Sequence, residues 1–133
     1  MANGHQRILV VDNDEAVCRM VEIILADRDY AVSAYTHSPD AMAAFAPGRY
    51  DLVITDIKMP AMNGLEVLHR IKVQDPSLPV LMITAHATVD LSIQALRKGA
   101  YDILTKPFEP EELLSRVRNA LRQTELIEEN REL

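Results

Sequence analysis

The sequence predicts a doubly wound α/β domain, with five parallel strands and helices on both faces of the sheet. Three observations carry this expectation. Continuous apolar runs rich in β-branched residues occur at 8–11, 52–55 and 80–83, as strands buried on both faces require. Segments of helical apolar spacing alternate with the strands. The strand–helix unit repeats five times, which implies a parallel sheet with right-handed crossovers.

Ile8 to Val11 forms the first strand, and Asp12-Asn13-Asp14 after it offers helix-capping chemistry. Val17, Val21, Ile24 and Leu25 then line one face of a helix. Tyr30 to Tyr35 is a more polar, alternating strand, suited to a sheet edge. Ser38-Pro39-Asp40 opens a second helix that continues through Ala46 and stops at Pro47-Gly48. Leu52 to Thr55 is the third strand, ending at Asp56. A loop from Ile57 to Asn63 leads to a helix from Gly64 with Leu65, Leu68 and Ile71 inward. Beyond the turn cluster Asp75 to Pro79, Val80 to Ile83 is the fourth strand, ending at Thr84. Thr88 caps a fourth helix with Leu91, Ala95 and Leu96 on its apolar face, and Gly99 stops it. Tyr101 to Leu104 is the fifth strand, followed by Thr105-Lys106-Pro107. Acids at 109, 111 and 112 open the last helix at the positive end of its dipole.

That helix outruns the domain. From Glu111 to Leu133 it would reach about 35 Å, and its far end has no Gly or Pro stop. Residues 1–122 therefore read as one domain and 123–133 as a helical extension toward an output domain. Leu126, Asn130 and Leu133 have the spacing of a short coiled-coil seam, although a solvated amphipathic tail fits the same residues.

The composition narrows the function. The 133 residues suit a single domain, and at 48% hydrophobic and 26% charged the chain is too apolar to be disordered. With 14 basic against 20 acidic residues the formal charge is -6, the wrong sign for direct nucleic-acid binding by this segment. No apolar run approaches a membrane span or a signal-peptide core. A single cysteine, Cys18, excludes an internal disulfide and a cysteine-based zinc site, which points to a reducing, cytoplasmic setting.

Four polar residues fall just past four buried strands: Asp12, Asp56, Thr84 and Lys106. Singly, each has an ordinary explanation as a cap, a turn residue or a surface charge. Together they share the carboxyl edge of a parallel sheet, where ligands bind at the crevice formed by a reversal of strand order. In the flavodoxin-like order 2-1-3-4-5 that crevice lies between strands one and three, flanked by Asp12 and Asp56. Clustered carboxylates invite a hard cation such as Mg²⁺, which keeps waters and takes one or two carboxylates plus phosphate oxygens. An ionised Asp beside Mg²⁺ and a lysine is equipped to accept a phosphoryl group, because it needs no general base. No glycine-rich phosphate loop is present, so ATP is not the expected donor.

The chain resembles the receiver domain of bacterial two-component response regulators over about Arg7 to Leu121. The resemblance rests on Ile8-Leu9-Val10-Val11-Asp12, on Asp51 through Pro60, on Met62 through Leu68, on Thr84-Ala85, and on Gly99 through Asp102 with Lys106-Pro107-Phe108. It implies Asp56 as the phospho-acceptor, Asp12 as a metal-site acid, Lys106 as the phosphate counter-ion and Thr84 as the switch hydroxyl. The backbone carbonyl of Lys58 would be a metal ligand, and the Lys106–Pro107 bond would be cis. A sensor histidine kinase would be the phosphoryl donor. The fourth helix, fifth strand and fifth helix would rearrange and support homodimerisation. Such a domain is a regulatory switch that assists its own phosphorylation and dephosphorylation rather than an enzyme. His86 and Lys58, each two residues past a site residue, would border the path of attacking water; His5, His37 and His69 read as surface residues.

Two positions depart from the family pattern. Asn13 stands where a second acid usually touches the metal, and Asp14 is better explained as a helix cap. Ile103 stands where many relatives carry a switch aromatic, with Tyr101 expected on the same face by strand alternation. These departures keep open a degenerate receiver, an interaction module that is not phosphorylated. An aspartyl-phosphate phosphatase would need an Asp where Lys58 stands, and a flavin site would need a phosphate loop in place of Asp12-Asn13-Asp14.

Overall fold

The structure, a computed structural model, describes residues 5–132, with side chains through 126. Five parallel strands stand in the order β2-β1-β3-β4-β5. They are β1 (Arg7–Val11), β2 (Ala31–Tyr35), β3 (Leu52–Asp56), β4 (Val80–Thr84) and β5 (Asp102–Thr105). The helices are α1 (Glu15–Ala26), α2 (Ser38–Ala44), α3 (Gly64–Gln74), α4 (Val89–Arg97) and α5 (Pro110–Glu132). The fold is the expected flavodoxin-like one.

Burial follows the alternation of each strand. Leu9, Val11, Val53, Val80 and Met82 pack against Ala41 of α2, Val67, Leu68 and Ile71 of α3, and Ala95 of α4. Ile8, Val10, Leu52, Ile54, Leu81 and Ile83 pack on the other face against Cys18, Val21 and Leu25 of α1 and Leu113, Val117 and Leu121 of α5. The central strands are therefore sealed on both faces, whereas β2 is only half-buried at the sheet edge, as its alternating pattern predicts.

Asp14 caps α1 by accepting from the amides of Ala16 and Val17. Thr88 caps α4 through the Leu91 amide. Gly99, at φ 107°, ends α4, and the next amide, of Ala100, donates back to the carbonyl of Ala95.

Four expectations need correction. Helix α2 ends at Ala44, not Ala46, because Phe45 turns extended to enter the core beside Tyr50, their ring centroids 6.2 Å apart. Pro47 further disfavours a helical residue before it. Strand β5 is shifted by one residue, to Asp102–Thr105. Tyr101 thus lies ahead of the strand, where alternation no longer applies, and packs on the α1/α5 side while Ile103 packs on the opposite side. Leu96 is exposed rather than inward, since it lies off the face marked by Leu91 and Ala95.

Among the described residues no helix is long and apolar enough to cross a membrane. Helix α5 is continuous past residue 122, and Thr124 and Glu125 still bond to the Asp51 carbonyl and the Gln6 side chain. The side chains of Asn130 and Leu133 in the supposed seam lie outside the described residues.

Candidate functional site

Strands β1 and β3 are neighbours with Val11 opposite Thr55, so Asp12 and Asp56 come next on each strand at the carboxyl edge. From there the chain enters α1 on one face and α3 on the other, which opens a crevice between the two acids. Asp12 is fully buried and Asp56 is 7% exposed.

Lys106 comes from the far side of the sheet. Its amide donates to the Thr84 carbonyl at 2.9 Å, and its peptide bond to Pro107 is cis. Its Nζ lies 2.8 Å from Asp12 Oδ2 and donates to Asp56 Oδ2 at 3.0 Å. Backbone amides hold the other carboxylate oxygens: Asp14 N donates to Asp12 Oδ1 at 2.9 Å, and Ile57 N to Asp56 Oδ1 at 2.7 Å. Each acid is fixed by its own loop, with its free oxygen turned to the lysine.

Thr84 is fully buried at the end of β4. Its Oγ1 accepts from the His86 amide at 3.0 Å, which leaves the hydroxyl proton available for donation. Among the described residues, no ion pair or hydrogen bond joins the side chains of Thr84, Asn13 or Lys58 to the Asp12–Lys106–Asp56 cluster. Asn13 and Lys58 are exposed. Lys58 and His86 line one groove of about 490 Å³ together with Asp90 and Gln94. His5, His37 and His69 are exposed, as expected.

Burial pushes the Asp12 carboxyl above its ordinary range, helped by the Asp56 charge and opposed by Lys106. Burial alone would lower the Lys106 ammonium, but hydrogen bonds and charge from Asp12 and Asp56 outweigh it and hold the group above the usual lysine value.

Asp12 Oδ2 is buried and accepts no well-formed hydrogen bond; the ion pair with Lys106 is its compensation. An acid oxygen left in this condition suits a cation. Among the described residues no group of three or more His, Cys, Asp or Glu gathers to hold a metal. Two carboxylates are nevertheless what Mg²⁺ takes when waters complete its shell, so Asp12 and Asp56 fit that ion.

The loop after β3 is tightly built. Gly64 is at a close approach: a Cβ there would run into the carbonyl of Asp56 and the Cα of Ile57. Asn63 caps α3 through the Glu66 amide. Ser38, 2% exposed, donates to the Met62 carbonyl at 2.7 Å. Sequence reading gave Ser38 only a helix start, because nothing local signals that its hydroxyl is buried against a loop 24 residues away.

The family model described as "Response regulator receiver domain" matches residues 8–118. The chain is 40% identical over 123 residues to transcriptional regulatory protein YkoG of Bacillus subtilis (strain 168), covering 92% of this chain and 53% of YkoG. It is 38% identical to transcriptional regulatory protein ZraR of Klebsiella oxytoca, covering 96% of this chain and 29% of ZraR. A response regulator receiver domain protein from Clostridium thermocellum superposes with a TM-score of 0.87 at 29% identity, over 92% of this chain and 98% of that one. NtrX from Brucella abortus gives 0.88 at 34% identity, over 95% of this chain and 29% of that one. The chain thus spans about half or less of these curated relatives. It belongs to the response regulator receiver domain family.

Proposed function

We propose that this domain is a phosphorylation switch of a two-component phosphorelay, acting in the cytoplasm, with Asp56 as acceptor. The observation that carries the reading is the ammonium of Lys106 bridging two buried carboxylates at the sheet edge. The donor is a sensor histidine kinase. An Asp56 oxygen attacks the phosphorus of a phosphohistidine, the O–P bond forms, and the P–N bond breaks with imidazole leaving. Asp12, Asp56, the Lys58 carbonyl and Asn13 would hold Mg²⁺, which when bound would supply positive charge for the phosphoryl oxygens. Lys106 exchanges one carboxylate partner for a phosphoryl oxygen, and the Thr84 hydroxyl donates to another.

An apolar pocket of about 350 Å³ between Val17 and Met20 of α1 and Pro107-Phe108, with Lys106 in its wall, supports approach of the kinase from that side. Residues 1–122 form the receiver and 123–133 lead toward an output domain. The output, and any homodimer through α4, β5 and α5, respond to the charge placed on Asp56.

The test is incubation with acetyl phosphate and Mg²⁺ followed by intact-mass measurement. An adduct of ~80 Da on the wild type and none on Asp56→Asn is expected. No adduct on the wild type, or an equal one on the variant, overturns the reading. Lys58 and His86 border the path of attacking water, so replacing both by Ala alters the dephosphorylation rate. An unchanged rate removes them from that role.

Asn13, exposed where a third acid would strengthen the metal site, favours a second reading: a degenerate receiver that acts by protein contact alone. Mg²⁺ titration followed at the Asp56 amide separates the two. Saturation at millimolar Mg²⁺ supports the switch, and no response supports the interaction module.

A further inference from the structure

The segment from Pro60 to Met62 holds a backbone conformation that its sequence does not favour. Ala61 sits at φ 67°, in the left-handed region that L side chains avoid. The Met62 amide donates to the Pro60 carbonyl at 2.7 Å, closing a three-residue turn around Ala61. Such a conformation persists only where its surroundings enforce it. Two contacts do so. The Gly64 amide donates to the Ile57 carbonyl at 2.7 Å, closing the base of the loop. The Ser38 hydroxyl, supplied by another helix, holds the Met62 carbonyl at the tip. The side chains of Met59 and Met62 are themselves buried in the core beneath.

From this arrangement we infer that Ser38 is a positioning residue for the metal-binding loop. Its hydroxyl holds the strained turn at Ala61 in place and thereby sets the backbone of the Ile57–Asn63 loop, including the Lys58 carbonyl. Ser38 touches neither metal nor phosphoryl group; it acts through Met62. The inference rests on the proposed Mg²⁺ site but is separately visible in the metal-free protein, where release of the hydroxyl frees the loop.

Two properties follow from strain held by a pin. Without the hydroxyl, Ala61 is free to leave the left-handed region, so the loop populates other conformations. With glycine at 61 the strain is absent, because glycine adopts positive φ at no steric cost. Loss of the Ser38 hydroxyl then has little to release. The effect of Ser38→Ala is therefore large beside Ala61 and small in the Ala61→Gly background.

The experiment compares wild type, Ser38→Ala, Ala61→Gly and the double variant. Hydrogen exchange at the Met62 and Gly64 amides is measured without metal, and Mg²⁺ is titrated by amide shifts at Lys58 and Met62. Ser38→Ala is expected to speed exchange at both amides and to weaken Mg²⁺ binding by about fivefold, the scale of one neutral hydrogen bond. In the Ala61→Gly background the same substitution is expected to change either quantity less than about twofold. Urea unfolding of each variant separates a loop effect from a global one. Exchange and Mg²⁺ affinity unmoved in Ser38→Ala would overturn the inference, as would an equal effect in both backgrounds. If the wild type binds no Mg²⁺, the proposed metal site fails while the exchange data still decide the role of Ser38.

Discussion

Asp12 shows how the site sets function against stability. Its carboxyl is fully buried, with one oxygen held by the Asp14 amide and the other facing only a lysine. Burial, the largest influence, raises its pKa. A carboxyl raised on folding contributes stability below its unfolded value of 3.8, and that contribution is lost as pH rises through the higher folded value. Above that folded value the domain carries the cost of an ionised buried acid. Asp12→Asn keeps the shape and removes the charge. In the absence of Mg²⁺ the variant is expected to melt at a higher temperature than the wild type at pH 7, with the gap shrinking as pH falls toward 4. Its Mg²⁺ response is expected to vanish. Calorimetry across that range checks the sign; a variant less stable than the wild type at pH 7 contradicts it. The place of Asp12 beside Asp56 and Lys106 was legible in the sequence because an acid directly after a buried strand has few neighbours to choose from. Ser38 was not legible, because its partner is a backbone carbonyl whose position depends on the whole α/β layer.

At the scale of elements, Lys72 shows how a turn opposite the site is closed. Its ammonium donates to the carbonyls of Pro76 and Leu78, at 3.2 and 2.7 Å, across the α3–β4 turn. Its stem lies against Gly99 at the end of α4. Burial lowers its pKa below 10.5, against the pull of Asp75. A lowered lysine binds fewer protons folded than unfolded, so stability rises as pH climbs through the folded value toward 10.5. Relative to Lys72→Met, the wild type should gain stability across that window, as urea midpoints at several pH values would show; a gap constant with pH excludes the effect. The elements themselves were readable where pattern dominates. The runs at 8–11, 52–55 and 80–83 became central strands because continuous β-branched residues suit nothing else so well. Boundaries failed where a side chain answers to tertiary packing: Phe45 left the helical path to reach Tyr50, and Asp102, rather than Tyr101, began β5. On α4, periodicity did not reveal that Leu96 faces outward, since the helix carries more apolar residues than the core accepts.

That surplus matters for the whole molecule. Val89, Ile93 and Leu96 stand exposed at i, i+4 and i+7 along α4, a stripe the monomer leaves open. The neighbouring surface of β5 and α5 is tied together by Arg116, which bonds Asp102 at 2.7 Å and the Ile103 carbonyl at 3.1 Å. The Asp12–Asp56–Lys106 pocket and this face share β4, β5 and the segments that follow them: Thr84 leads into α4, and Lys106 follows β5. In the proposed switch, phosphorylation of Asp56 changes the partners of both residues. A full shift between two arrangements needs about 5.5 kcal/mol of differential stabilisation. Two charge-assisted bonds near the top of the range of about 1.5–3 kcal/mol each, or three near its middle, are enough to supply it. If the switch acts through this face, an acidic residue in the stripe blocks association without touching the chemistry. Ile93→Asp is therefore expected to take up the same ~80 Da adduct from acetyl phosphate as the wild type. In sedimentation velocity the phosphorylated wild type should move toward a dimer while the phosphorylated variant remains a monomer. Dimerisation of the variant equal to that of the wild type would show that the signal leaves by another surface. A variant lacking the adduct would instead place α4 packing within the requirements of the acceptor site.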